Sequence, residues 1–191
     1  MTPKDELIQT FHQLGAFQYN PNEGFRLASG IISPYYIDCR IILAHPRPRY
    51  LVAQLAFNKL KDYDIALIGG LEIGAIPLAT CISDYGYMAN PQREWKTFVV
   101  RKQPKGHGLG KLIEGHLNPG EHALVVDDVL TTGGSILKAT EAARQQQLIV
   151  THSLVVVDRS DDQGKSALSP QGIQLLPLLT LQDLTLGKSG D

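Results

Sequence analysis

The 191 residues suffice for one α/β domain with a substantial core and at most a small appendage. With 18 basic and 19 acidic residues the net charge is −1, so bulk charge argues against a nucleic-acid or membrane surface as partner. Cys39 and Cys81 lie far apart in no CxxC or zinc spacing, no apolar run approaches a membrane span, and residues 1–6 lack a signal-peptide core, so buried reduced thiols in a cytoplasmic protein are expected.

Leu7, Ile8, Phe11 and Leu14 recur at helical spacing, with Pro3 and two acids in the first turn and Gly15 beyond. They predict a helix over 3–15 packed on a sheet. Over 25–38, Phe25 and Leu27 alternate with polar residues, Ser29 and Gly30 interrupt, and Tyr35, Tyr36 and Ile37 resume, which predicts a β-hairpin or two short strands. Leu51, Val52, Leu55, Ala56 and Leu60 form the buried stripe of a helix over 47–62. A strand over 64–70 then runs into a turn at Gly69 and Gly70. Leu71, Glu72, Ile73 and Gly74 lead into a third helix with Pro77 in its first turn.

Residues 96–101 read as a strand that enters a stretch containing Pro104, Gly106, Gly108, Gly110 and Gly115. Such a composition excludes regular structure and predicts a mobile loop over about 102–115. The loop carries Arg101, Lys102, Lys105, His107 and Lys111. A solvated basic loop is one reading; the lid of a site for an anionic substrate is the other.

The most informative stretch is Leu-Val-Val-Asp-Asp-Val-Leu-Thr-Thr-Gly-Gly-Ser over 124–135, followed by a helical pattern. A buried strand, a loop and a helix start place this loop where open α/β sheets bind ligands. Free N–H groups at the helix start, the helix dipole, close approach at Gly133 and Gly134, and three hydroxyls favour a phosphate. Asp127 and Asp128 would repel it, so they suit vicinal ribose hydroxyls or Mg²⁺ beside it. A last buried strand over 151–159 ends in Asp158 and Arg159, and an arginine there can be salt-bridged or can grip a carboxylate through parallel N–H···O bonds. A short strand over 173–177 and a capped helical turn over 180–184 close the chain, and the tail over 187–191 is expected to fray. Alternation of strand and helix from 50 to 160 predicts an α/β fold, a mostly parallel central sheet flanked by helices. His12, His45, His116, His122 and His152 do not cluster and suit surface or structural roles.

The 124–135 run resembles the phosphoribosyl-diphosphate (PRPP) motif of type I phosphoribosyltransferases. The 25–38 stretch is similar to the Phe-x-Leu-x-Ser-Gly-x-x-Ser-Pro-Tyr hood element of the orotate phosphoribosyltransferases. Arg101, Lys102, Lys105 and His107 match their catalytic loop, and Arg159 matches their orotate-binding arginine. The resemblance implies one phosphoribosyltransferase domain over 1–191, with a hood from about 1–45 plus the C-terminal strand and a mobile lid at about 102–115. It implies transfer of 5-phosphoribosyl from PRPP to orotate, giving orotidine 5′-monophosphate and pyrophosphate in pyrimidine biosynthesis. Lys102, Lys105, His107, Asp127 and Asp128 would be catalytic. PRPP would be bound by these residues together with Arg101, Val129, Leu130, Thr131, Thr132, Gly133, Gly134 and Ser135; orotate would meet Thr131 and Arg159. Mg²⁺ would be held mainly through PRPP and water. A homodimer with shared sites is implied, because the family's lid closes over the neighbouring subunit's site. The loop at 70–74 would help bind pyrophosphate, in some members through a non-proline cis peptide. Two departures stand out: Ala28, and Glu72 with Ile73, occupy positions where many members carry lysine. A type I transferase for another base, or a non-enzymatic PRPP-binding regulator, are the alternatives; the hood motif and the basic lid speak against them.

Overall fold

The computed structural model describes residues 1–26, 30, 32–103, 112–160 and 163–187. Helix α1 (Pro3–Gln13) opens with a capping box: the Asp5 N–H donates to the Thr2 hydroxyl, and the Thr2 N–H donates to the Asp5 carboxylate. It buries Leu7 and Phe11. Two small ribbons follow. β1 (Phe17–Tyr19) pairs antiparallel with β4 (Tyr35–Ile37), and between them β2 (Phe25–Arg26) pairs with β3 (Ile32–Ser33). The expected hairpin over 25–38 is thus split. Its second arm turns away to pair with Phe17–Tyr19, a segment too short to show a period of two. Residues 27–29, including the Ala28 departure, lie outside the described residues.

Helix α2 (Cys39–Ala44) was not signalled by the sequence; the Asp38 carboxylate caps it by accepting the Arg40 N–H. Helix α3 (Pro46–Leu60) starts on a proline whose missing N–H costs nothing there. Then come β5 (Leu67–Leu71), α4 (Ala75–Ala89), β6 (Lys96–Val100), β7 (Ile113–Gly115), β8 (His122–Leu130) and α5 (Gly134–Gln145). The chain ends with β9 (Ile149–Asp158), α6 (Gln163–Leu168), β10 (Gln174–Thr180) and α7 (Leu181–Leu186).

The central sheet has six strands in the order β10-β9-β8-β5-β6-β7, parallel except for β7. Three sequence expectations need correction. Residues 113–115, assigned to an irregular lid, form edge strand β7, because Ile113 is buried and pairs with Val100, while Gly115 takes up φ +142° opposite Phe98. Gly69 and Gly70 lie inside β5 rather than in a turn. A Cβ on either would come within 2.1 Å of the carbonyl oxygen of Phe98 or Val126, so glycine is what lets β5 lie this close to its neighbours. The C-terminal strand belongs to the central sheet beside β9, not to the hood; what reaches the N-terminal elements is α7, through Lys4 to Asp183 at 2.9 Å and His12 to the Leu184 carbonyl at 3.0 Å.

The hydrophobic run of β8 is continuous because both sheet faces are covered. Leu124 and Val126 pack with Leu7, Leu51, Leu78 and Ile82 of α1, α3 and α4, whereas Ala123 and Val125 pack with Ile136, Ala139 and Ala143 of α5. Burying each such aliphatic side chain stabilises the fold by about 1.5–3 kcal/mol. Among the described residues no helix is long and apolar enough to cross a membrane.

Candidate active site

Neighbouring strands β5 and β8 send their following helices to opposite faces, α4 to one and α5 to the other. The loops therefore part above the strand ends and leave a crevice, the place where parallel sheets bind ligands. One wall is residues 131–135. Gly133 adopts φ +82° as the residue before α5, a left-handed conformation that favours glycine, and no side chain caps the helix. The first-turn N–H groups and the positive end of the helix dipole thus face the loop. Thr131, Thr132 and Gly134 are exposed and Ser135 is half-buried. Leu130 plays another part: its side chain is buried and its carbonyl accepts the Arg159 N–H at 3.1 Å, so it is scaffold for the loop.

Asp127 and Asp128 lie in the last half of β8, Asp128 two residues before its end at Leu130, each carboxylate accepting the next residue's N–H, at 3.0 and 2.9 Å. Asp127 is joined by the Ser135 side chain, while Asp128 lies against Gly74, where a Cβ would stand 3.0 Å from its carboxylate. The acids thus link the phosphate loop to the loop after β5. Burial, then the neighbouring Asp128 charge, pushes Asp127 up to about 7. A bound cation or hydroxyl donors would relieve that repulsion. Behind them Cys39 is buried, its thiol 3.7 Å from the Asp128 carbonyl; burial holds it well above its ordinary range, which makes it an inert structural thiol.

The opposite wall comes from the loop after β5, where the Glu72–Ile73 peptide is cis. The Glu72 carboxylate accepts the Lys102 N–H at 2.9 Å. Arg101 leaves β6 with its N–H on the Leu112 carbonyl at 2.8 Å and its guanidinium 4.0 Å from Glu114. Arg101, Lys102, Ser135 and Lys138 line a cavity of about 510 Å³ with Leu71 and Val100 on its floor. Lys138 was not singled out from the sequence, although it stands one helical turn beyond Ser135, a spacing that shares a face. Lys105, His107 and Lys111 lie outside the described residues.

Arg159 follows β9 at the same sheet edge. Its Nη2 donates to the Ser33 hydroxyl at 2.8 Å and to the Tyr35 carbonyl at 3.2 Å, tying the N-terminal ribbons to the strand ends. Asp158 beside it accepts the Ser160 N–H and hydroxyl and lies 3.6 Å from Lys165. The structure thus brings Asp127, Asp128, residues 131–135, Arg101, Lys102 and Arg159 to one edge of the sheet. Among the described residues no three His, Cys, Asp or Glu side chains gather to hold a metal.

Comparison with known proteins identifies the family. Residues 40–171 match the family model described as phosphoribosyl transferase domain. The orotate phosphoribosyltransferase of Aquifex aeolicus is 42% identical over 161 residues, covering 84% of this chain and 86% of the relative. That of Methanocaldococcus jannaschii is 35% identical over 184 residues, covering 96% and 98%. The crystal structure of the Mycobacterium tuberculosis orotate phosphoribosyltransferase in complex with PRPP superposes with a TM-score of 0.76 at 33% identity, covering 96% of this chain and 99% of that one. With a parallel sheet, a phosphate-type loop behind two acids and relatives matched nearly end to end, the chain belongs to the phosphoribosyltransferase family, among the orotate phosphoribosyltransferases.

Proposed function

We propose that this chain transfers the 5-phosphoribosyl group of PRPP to orotate, yielding orotidine 5′-monophosphate and pyrophosphate in pyrimidine biosynthesis. The observation that carries the reading is the shared C-terminal end of β5, β8 and β9, which carries an uncapped helix start, two acids and Arg159. Each suits one part of the two substrates. The N–H groups and hydroxyls of residues 131–135 anchor the 5′-phosphate. Asp127 and Asp128 hold the ribose hydroxyls and favour the positive charge that builds at the anomeric carbon as the bond to pyrophosphate breaks. Arg159, with Thr131, orients the orotate carboxylate so that the ring nitrogen attacks in line.

Arg101 and Lys102, joined by Lys105 and His107 of the lid, take up the charge of the departing pyrophosphate, and lid closure keeps out water that would hydrolyse PRPP. The two acids are hard oxygen donors of the kind Mg²⁺ takes, and the ion would be held mainly by PRPP oxygens and water. When bound, that ion neutralises pyrophosphate charge. The lid is read as serving the partner's site in a cytoplasmic homodimer. Loss of orotate absorbance that requires both PRPP and Mg²⁺ tests the proposal; consumption of another base, with orotate untouched, would overturn it.

A further inference from the structure

We infer that Ser33 is a positioning residue that sets the angle at which Arg159 meets the substrate carboxylate; this rests on the reading of Arg159 given above. An arginine side chain forfeits about 2 kcal/mol of rotamer entropy when it is fixed, so a guanidinium that must meet a planar anion gains from being held beforehand. Here the hold comes from the N-terminal ribbons. The Ser33 oxygen accepts Arg159 Nη2 at 2.8 Å and the Tyr35 N–H at 3.2 Å, which uses both of its acceptor positions. The Tyr35 carbonyl accepts the same Nη2 at 3.2 Å. Two acceptors on one nitrogen define the plane of the guanidinium and so the direction in which its other N–H groups point.

The acceptors are themselves fixed. Tyr35 stacks on Tyr19 at 5.0 Å and on Phe17 at 6.0 Å, within the ribbon of β1 and β4. Both of these acceptors are neutral, so neither places a negative charge of its own beside Arg159. Arg40 shows the contrast: its Nε and Nη2 are both spent on the Asp38 carboxylate, at 2.8 and 2.7 Å. A hydroxyl at position 33 is therefore a way to aim an arginine without adding a carboxylate beside it.

The test is steady-state kinetics on the full chain for Ser33→Ala, Ser33→Thr, Arg159→Ala and the double variant. Losing one charge-assisted hydrogen bond should raise the orotate KM about tenfold in Ser33→Ala. The PRPP KM should stay within about twofold, since the phosphate loop is untouched. Ser33→Thr should restore most of the orotate KM. Because Ser33 acts through Arg159, adding Ser33→Ala to Arg159→Ala should cost nothing further. Effects that multiply in the double variant would overturn the inference. So would an unchanged orotate KM in Ser33→Ala when Arg159→Ala raises it. An unchanged KM in Arg159→Ala would remove the carboxylate assignment and the inference together. Should alanine loosen the short strand, Ser33→Val against Ser33→Thr repeats the comparison with shape held constant and only the hydroxyl removed.

Discussion

Asp127→Asn removes a carboxyl group that burial and Asp128 hold protonated up to about 7 in the folded chain. In the unfolded chain the same group ionises near 3.8. Between these values the folded state binds more protons than the unfolded one, so Asp127 makes stability fall as pH rises, and above about 7 the loss is complete. Roughly three pH units at about 1.36 kcal/mol each set a ceiling of about 4 kcal/mol. Because the two acids titrate as a pair and Asp127 is partly exposed, about half of that, near 2 kcal/mol, is expected. Asparagine keeps the shape and has no proton to lose. Asp127→Asn should therefore match the wild type near pH 4 and exceed it by about 2 kcal/mol near pH 8, a gain in Tm of about 4–8 °C for a chain of this size. Urea unfolding at both pH values measures this difference, in which the other titrating groups cancel. The same variant should lose PRPP turnover, the usual exchange of stability for a strained functional site. A stability gain equal at both pH values, or none at pH 8, would refute the reasoning.

Three further outcomes follow from the geometry. Gly74→Ala places a Cβ 3.0 Å from the Asp128 carboxylate; circular dichroism should show the fold intact, while kcat/KM for PRPP drops roughly ten- to a hundredfold as that carboxylate is displaced. Gly70→Ala drives a Cβ to 2.1 Å from the Val126 carbonyl, which backbone cannot yield; destabilisation beyond about 4 kcal/mol and loss of soluble protein are expected, and a soluble, cooperative variant would contradict the close β5–β8 approach. Lys102→Ala should lower kcat about 10²–10³-fold by removing a cation facing the leaving group. Lys105→Ala in the lid, mixed with Asp127→Asn under conditions that exchange subunits, should regain about a quarter of the wild-type rate, the random-pairing value for a two-fold dimer whose lid serves the partner's site. No regain would mean that each chain completes its own site.

The strand-to-helix junction at residues 131–135 was legible because its pattern is local. Strand, acids, hydroxyls, glycines and helix follow one another without gaps, and Gly133 proves to need the left-handed backbone that only glycine takes easily. The parallel sheet was legible for a similar reason: runs such as 124–126 and 154–157 are apolar at every position, which only a sheet covered on both faces permits. What was misread depended on neighbours. Gly69 and Gly70 look like a turn until Phe98 and Val126 are seen pressing on them. Residues 113–115 look like loop until β6 offers a pairing edge. Lys138 looks like any helix-surface lysine until the cavity it lines with Arg101 and Lys102 is in view.

Thus the amino-acid sequence by itself determined the α/β class, the uncapped helix start and the acids that precede it, since these rest on propensity, periodicity and spacing within a dozen residues. Only the tertiary structure decided which distant groups meet: Asp128 against Gly74, Glu72 turned to the Lys102 N–H, and Arg159 held by Ser33 from 126 positions away. Such pairings depend on how the parallel strands stack in order and on which face each crossover takes, and no local pattern encodes that order.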